Sequence, residues 1–248
     1  EAARSVAESL EKLARIRAGN YKRTDFIIAD AKDGDMGPSM TSTGPKRGKD
    51  GKWTRYYTRP EFLQNIRAVI EQDIVDIMLT SASNLEALVE MGAYRNSVVK
   101  PAIRANDTTD VWVVRGASYS KQPSRPFRSA NIARVMHGGL RPSPGTPVTG
   151  TDLGLYSVTF NNDLDHDYAS LEAFTAFRED AARNGFKYFL EVFNPNVDSK
   201  IDPEQIPFYV NDCLMRCIAG VTKADRPQFL KIPFNGPKAL DELASYDP

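Results

Sequence analysis

The stretch FLKIPFNG, residues 229–236, is an apolar run bounded by turn formers that carries a lysine in its middle. Lysine is almost never fully buried without a partner, so Lys231 faces solvent, is paired, or is kept for chemistry. Strand alternation decides between these. With a period of two, Leu230 and Ile232 share one face, suited to packing against outer helices, while Phe229, Lys231 and Pro233 share the other. The same parity in FLEVF, residues 189–193, turns Leu190 and Val192 outward and Phe189, Glu191 and Phe193 inward. Two strands thus offer a lysine and a carboxylate to one interior.

Working outward, short β-rich runs alternate with helical patterns along the whole chain. The strand candidates are DFIIADA (25–31), DIVDIMLTS (73–81), SVVKPAIRA (97–105), LYSVTF (155–160), FKYFLEVF (186–193) and QFLKIPF (228–234). Such alternation implies βαβ units and a parallel sheet. Thr58 is placed to cap a helix entered by Pro60, and Asn84 to cap a short one stopped by Gly92. In ASLEAFTAFREDAARNG (169–185), Leu171, Phe174 and Phe177 share a face, and Gly185 fits the residue just past the helix end. Asp202 and Pro203 open the next helix, and a last one begins near Pro237.

The expected fold is α/β, a (β/α)8 TIM barrel forming a single domain over 1–248, preceded by an amphipathic helix in residues 1–19. About six units are legible where a closed barrel needs eight, and the chain starts without Met and stops at SYDP (245–248), where a seventh strand would follow. The expectation is therefore a barrel whose last units are missing, with an open doubly wound sheet as the alternative. Two connections are long, about 33–58 and 106–152. Each follows a strand and lies over the strand C-termini, where barrel enzymes place substrate-binding parts. The second contains DVWVVRG (110–116), too apolar for a free linker.

Composition excludes several classes. Lys+Arg 32 against Asp+Glu 32 in 248 residues leaves no bulk field to attract nucleic acid or an anionic membrane, and no apolar run reaches the length of a span. Neither partner is expected, and the expected location is cytoplasmic. The two cysteines, Cys213 and Cys217, are read as packing residues in one helix, in keeping with a reducing compartment. A zinc-dependent mechanism would draw on about three ligands, commonly histidines, and only His137 and His166 occur. No metal and no cofactor are expected. In NNDLDHDY (161–168) Asp163, Asp165 and Asp167 alternate, but Tyr168 and Phe174 stand where a calcium loop needs Gly and Glu, so helix capping is the reading. GPKRGKDGK (44–52) lacks phosphate-loop spacing and reads as a solvated basic loop.

The strand ends carry the chemistry. A lysine amine walled by apolar and cationic groups loses its proton more readily, and the neutral amine is the species that adds to a carbonyl. Lys231 is therefore a Schiff-base candidate, with Glu191 to move protons; the structural alternative is an ion pair closing a barrel layer. The first strand ends in Asp30, Lys32, Asp33 and Asp35, of which Asp35 reads as a solvated loop charge. Lys100, Ala102 and Arg104 share a face, so Arg104 offers a fixed cation for a substrate anion. Ser157, Thr159 and Asn161 share a face and suit sugar hydroxyls, and Lys32 and Asn235 join them as candidate substrate contacts.

FLKIPFNG after YFLEVFNPN (188–196), with a charged first-strand end, resembles the class I aldolase superfamily that includes tagatose-bisphosphate, class I fructose-bisphosphate and deoxyribose-phosphate aldolases. The resemblance implies that Lys231 at the sixth strand is the imine-forming nucleophile and Glu191 at the fifth the acid/base. It implies that Asp30 or Asp33 assists. The group's anion-binding glycines and arginine follow strands that this sequence does not contain, so phosphate specificity is not carried over. The expected activity is carbon–carbon lyase chemistry on a ketose phosphate or similar anionic sugar. The alternatives are a non-catalytic sugar- or metabolite-binding barrel and a transaldolase-like synthase using the same lysine. A homo-oligomer is compatible with exposed apolar faces on the outer helices.

Overall fold

The computed structural model describes residues 11–107 and 113–246. The first half of the amphipathic N-terminal segment, residues 110–112 of DVWVVRG and the last two residues of SYDP lie outside the described residues. All six strand candidates form strands: β1 (Ala29–Lys32), β4 (Ile77–Thr80), β5 (Lys100–Arg104), β6 (Leu153–Thr159), β7 (Lys187–Phe193) and β8 (Leu230–Lys231). They make a six-stranded parallel sheet in chain order. The fold is α/β, and the described residues form no eight-unit barrel. The chain divides into two compact units, Glu1–Arg104 with Ala133–Leu153, and Ala105–Ile132 with Gly154–Pro248. Each is described by itself.

In the first unit residues 11–17 are helical (α1), and β1, β4 and β5 pair in parallel. Helix α2 (Arg59–Ile70) begins at a capping box, in which the Thr58 hydroxyl accepts from the Glu61 amide and the Glu61 carboxylate accepts from the Thr58 amide. Its buried face, Phe62, Leu63, Ile66 and Ile70, packs with Met78 of β4 and with Leu88 of α3 (Ala82–Glu90). The cap of α3 is Ser81 rather than Asn84: the Ser81 hydroxyl accepts from the Asn84 amide, and the Asn84 side chain is buried and used elsewhere.

The 32–57 connection is more ordered than a bare insert. It contains two 3-10 turns, Gly34–Met36 and Ser39–Thr43, and an antiparallel hairpin of β2 (Pro45–Arg47) and β3 (Trp53–Tyr56). The hairpin is tied to α2 through Glu61, which receives both Lys46 and Arg55. The segment read as a solvated basic loop is thus largely this hairpin. The 106–152 connection contains the short helix α4 (Ile132–His137). Gly150 runs so close to that helix that a Cβ there would stand 1.9 Å from the Val135 carbonyl oxygen, so no other residue fits without backbone movement.

In the second unit α5 (Leu164–Asn184) covers β6 and β7 with an aromatic cluster. Tyr156 stacks on Phe177 at 4.4 Å between centroids, and Phe174 and Phe177 meet Tyr188 edge-on. Gly185 closes the helix in the left-handed region, φ 68°, as its position after the apolar face predicts. The cap of α5 is Asp163, so the alternating aspartates do serve the helix start. Helix α6 (Ile206–Ile218) and α7 (Pro237–Tyr246) complete the unit. Cys213 and Cys217 are unbonded thiols on α6, and burial pushes the Cys217 thiol up to about 12. No helix among the described residues is long and apolar enough to cross a membrane.

Candidate active site

In the second unit Glu191 and Lys231 are register partners on adjacent parallel strands, so their side chains leave the sheet on one face. Lys231 Nζ lies 2.5 Å from Glu191 Oε1. Ser157, completely buried on β6, donates its hydroxyl to Glu191 Oε2 at 2.8 Å. One strand step below the pair, Phe189 and Phe229 stack at 4.6 Å with rings 16° from parallel. Alternation placed these four residues on one side, and they are there.

The surroundings of Lys231 differ from the sequence expectation. Its side chain is 46% exposed, whereas that of Glu191 is 6% exposed. The lysine is not walled in by apolar and cationic groups. β8 is only two residues long, Leu230–Lys231, and the chain leaves the sheet at once through Ile232 and Pro233, the proline having no N–H to donate to a ladder. The carboxylate is fixed in the sheet interior, and the amine reaches to it from a solvent-accessible edge.

The asparagines near this pair build the loops rather than offering free amides. Asn161 Oδ1 accepts from the Asn196 and Val197 amides, and its Nδ2 donates to Asn196 Oδ1 at 2.9 Å. Asn196 in turn donates to the carbonyls of Tyr119 and Gln122 and accepts from the Ser124 amide. Asn235 makes a reciprocal amide pair with Asn194. Asn106, which the sequence reading passed over, bonds both the amide and the carbonyl of Ser157 at 2.9 Å, substituting for a strand neighbour where β5 has ended. Its signal was available in KPAIRAND: a polar amide following an apolar strand that has run out of partners.

In the first unit Asp33 and Arg104 meet, with Nε 2.5 Å from Oδ2 and both residues buried. Asp30 and Lys32 do not join them. They are in register with Met78 and Thr80, and Met78 faces α2 and α3, whereas Arg104 has the opposite parity on β5. Asp30 and Lys32 pair with each other on the helix-bearing face, apart from Asp33 and Arg104. Arg104 is occupied by Asp33 and is 5% exposed, which is not the environment expected of a cation offered to a substrate anion.

Asp35 is a correction of the opposite kind. It is half-buried, and its Oδ2 accepts from Ser81 and, at 3.1 Å, from Asn84, whose Oδ1 accepts from Arg59. Burial raises the Asp35 carboxyl above the ordinary range, and the nearby Asp33 charge adds to the rise. Asp35 Oδ1 and the Thr80 hydroxyl are buried without a partner among the described residues.

Among the described residues no group of three His, Cys, Asp or Glu side chains is arranged to hold a metal ion. His166 contacts Asp163 through Nδ1 and Arg125 through Nε2, at the surface end of α5. No protein-family model matches the chain, and no curated protein matches it.

Proposed function

We propose that this chain is a class I aldolase, a carbon–carbon lyase acting on an anionic ketose through an imine at Lys231, in a partial (β/α)8 barrel. One observation carries the reading: a solvent-reachable lysine amine 2.5 Å from a buried carboxylate that is itself held by a serine. A proton passed from Nζ to Oε1 along that hydrogen bond leaves the two species the chemistry needs, a neutral amine and a carboxylic acid.

The amine attacks the substrate carbonyl carbon. Glu191 then protonates the carbinolamine hydroxyl, which departs as water and leaves an iminium ion. Cleavage of the carbon–carbon bond β to the iminium releases an aldehyde as its hydroxyl proton is removed by the Glu191 carboxylate, and the bond's electron pair becomes the enamine. Protonation of the enamine carbon and addition of water return the amine and the second product. Ser157 holds Oε2, so Oε1 is the oxygen that exchanges protons. The Phe189 and Phe229 rings supply an apolar floor that slows competing hydration.

The second reading is a non-catalytic sugar-binding module in which Lys231 only neutralises Glu191; the formed ion pair favours it. Borohydride reduction with dihydroxyacetone phosphate and a panel of ketose phosphates, followed by peptide mass spectrometry, separates the two. A substrate-sized adduct on Lys231 that disappears in Lys231→Ala supports the aldolase. Absence of any adduct from the folded chain sinks it in favour of the binding module. Product analysis distinguishes cleavage from transaldol transfer.

A further inference from the structure

We propose that Asn235 is a site of spontaneous covalent modification, at which the side-chain amide is exchanged for a carboxylate with release of ammonia. The chain holds two Asn–Gly dipeptides, Asn184–Gly185 and Asn235–Gly236. In such a dipeptide the glycine amide nitrogen can attack the asparagine side-chain carbonyl carbon and close a cyclic imide, because no Cβ crowds the nitrogen. The side-chain nitrogen leaves as ammonia, taking up the proton that the attacking nitrogen sheds. Water then opens the ring at either carbonyl and gives aspartate or isoaspartate. Amide plus water has become carboxylate plus ammonium, with no other reactant consumed.

The fold closes this route at one dipeptide and leaves it open at the other. Asn184 is the last residue of α5; its Nδ2 donates to the Asp180 carbonyl at 2.8 Å and to the Asp180 carboxylate at 3.1 Å, and the Gly185 amide donates to the Ala182 carbonyl. Nucleophile and side chain are both held by the helix end. Asn235 instead lies in the irregular segment 232–236 between β8 and α7, and the Gly236 amide makes no hydrogen bond among the described residues. A Cβ built on Gly236 would meet nothing within 4 Å, so the ring and the incoming water have room.

The Asn235 side chain is restrained by its reciprocal pair with Asn194, at 2.7 and 3.0 Å. Hydrogen bonds between exposed neutral amides exchange readily for bonds to water, so the pair does not lock the side chain as the helix end locks Asn184. The pair also assists. Asn194 Nδ2 lies 3.0 Å from Asn235 Oδ1, the oxygen that gains negative charge as its carbon is attacked, and a donor there stabilises the intermediate. Conversion removes the Asn235 donor from Asn194 Oδ1 and adds a negative charge to the segment that directly follows Lys231. The isoaspartate product also carries the main chain through the former side-chain carbon, which lengthens the approach to α7. The inference stands whether or not Lys231 forms an imine.

The test is incubation of the full folded chain in heavy-oxygen water at mildly alkaline pH, beside a sample unfolded in urea, followed by tryptic digestion in ordinary water and peptide mass spectrometry. The peptides to follow are IPFNGPK (232–238) and NGFK (184–187). Heavy oxygen in the new carboxylate marks conversion that preceded digestion. In urea the two dipeptides are expected to convert at similar rates, since neither has a fold around it. In the folded chain Asn235 is expected to keep most of its urea rate, while Asn184, which reacts only when the helix end opens, falls about tenfold or more behind it. Conversion of Asn184 as fast as Asn235 in the folded chain, or label at Asn235 in urea alone or in neither sample, overturns the proposal.

Discussion

Two carboxylate–cation pairs at the ends of parallel strands, one in each unit, have the same N to O separation of 2.5 Å and different surroundings. Arg104 and Asp33 have side chains only 6% and 10% exposed, whereas Lys231 is 46% exposed against a Glu191 at 6%. In the first pair neither partner can meet a solute without breaking the core. In the second the amine can swing to a carbonyl while Ser157 keeps the acid in place. Distance alone therefore does not separate the two pairs; the access of one partner does, and on the aldolase reading that access is what lets the second pair react.

The largest expected effect is on chemistry. Glu191→Gln keeps shape and the Ser157 contact but cannot exchange protons, so on the aldolase reading turnover falls by about 10²–10⁴-fold, measured as steady-state cleavage of whichever ketose phosphate the trapping panel identifies. An unchanged rate would remove Glu191 from the mechanism and make the two pairs alike.

Next in size is stability. Arg104→Met leaves Asp33 buried without its cation and is expected to cost about 3–5 kcal/mol in urea unfolding. Lys231→Met leaves Glu191 with its Ser157 hydrogen bond and with water able to reach it past the half-exposed position, and is expected to cost less than Arg104→Met. Equal costs for the two would break the comparison.

A smaller effect is expected at Ser157→Ala, which removes a buried hydrogen bond to a charged group worth about 2 kcal/mol. If Ser157 also selects the working oxygen of Glu191, imine trapping slows while Lys231 still reacts. Trapping at the original rate would reduce Ser157 to a packing residue.

The smallest effect concerns Asp35. Its carboxyl is raised by burial, so the folded chain holds that proton more tightly than the unfolded chain. The associated stability is present below the unfolded pKa and is lost as pH rises through the folded one. Asp35→Asn is accordingly expected to stabilise slightly at neutral pH, to change nothing in acid, and to flatten the decline that begins near pH 4, about the ordinary aspartate value. Urea midpoints across that window check it; a loss of stability at neutral pH would mean that the charged form is needed by the Ser81 and Asn84 contacts.

Strand identity was legible because each strand is a short apolar run punctuated by Gly, Pro or Asp, and local chemistry suffices to mark it. The faces of Glu191 and Lys231 were legible for the same reason: alternation is a property of the strand itself. Asp30 shows where that logic was not carried through, since the parity that admits Asp33 to one face sends Asp30 to the other. The cap at Ser81 and the order within residues 33–57 were missed because several polar residues there compete for the same amides, and only tertiary contacts choose among them.

By itself, then, the sequence determined the α/β pattern, the six strands, and the lysine and glutamate that share one side of two of them. Only the tertiary structure decided that Asn161 and Asn235 are spent on neighbouring amides, that Arg104 is neutralised by Asp33, and that Lys231 stays half open to solvent. Periodicity is local and survives in a linear reading. Partner choice and exposure depend on which distant residues arrive beside a group, and for buried polar groups that arrival is enforced by the cost of leaving any of them unpaired.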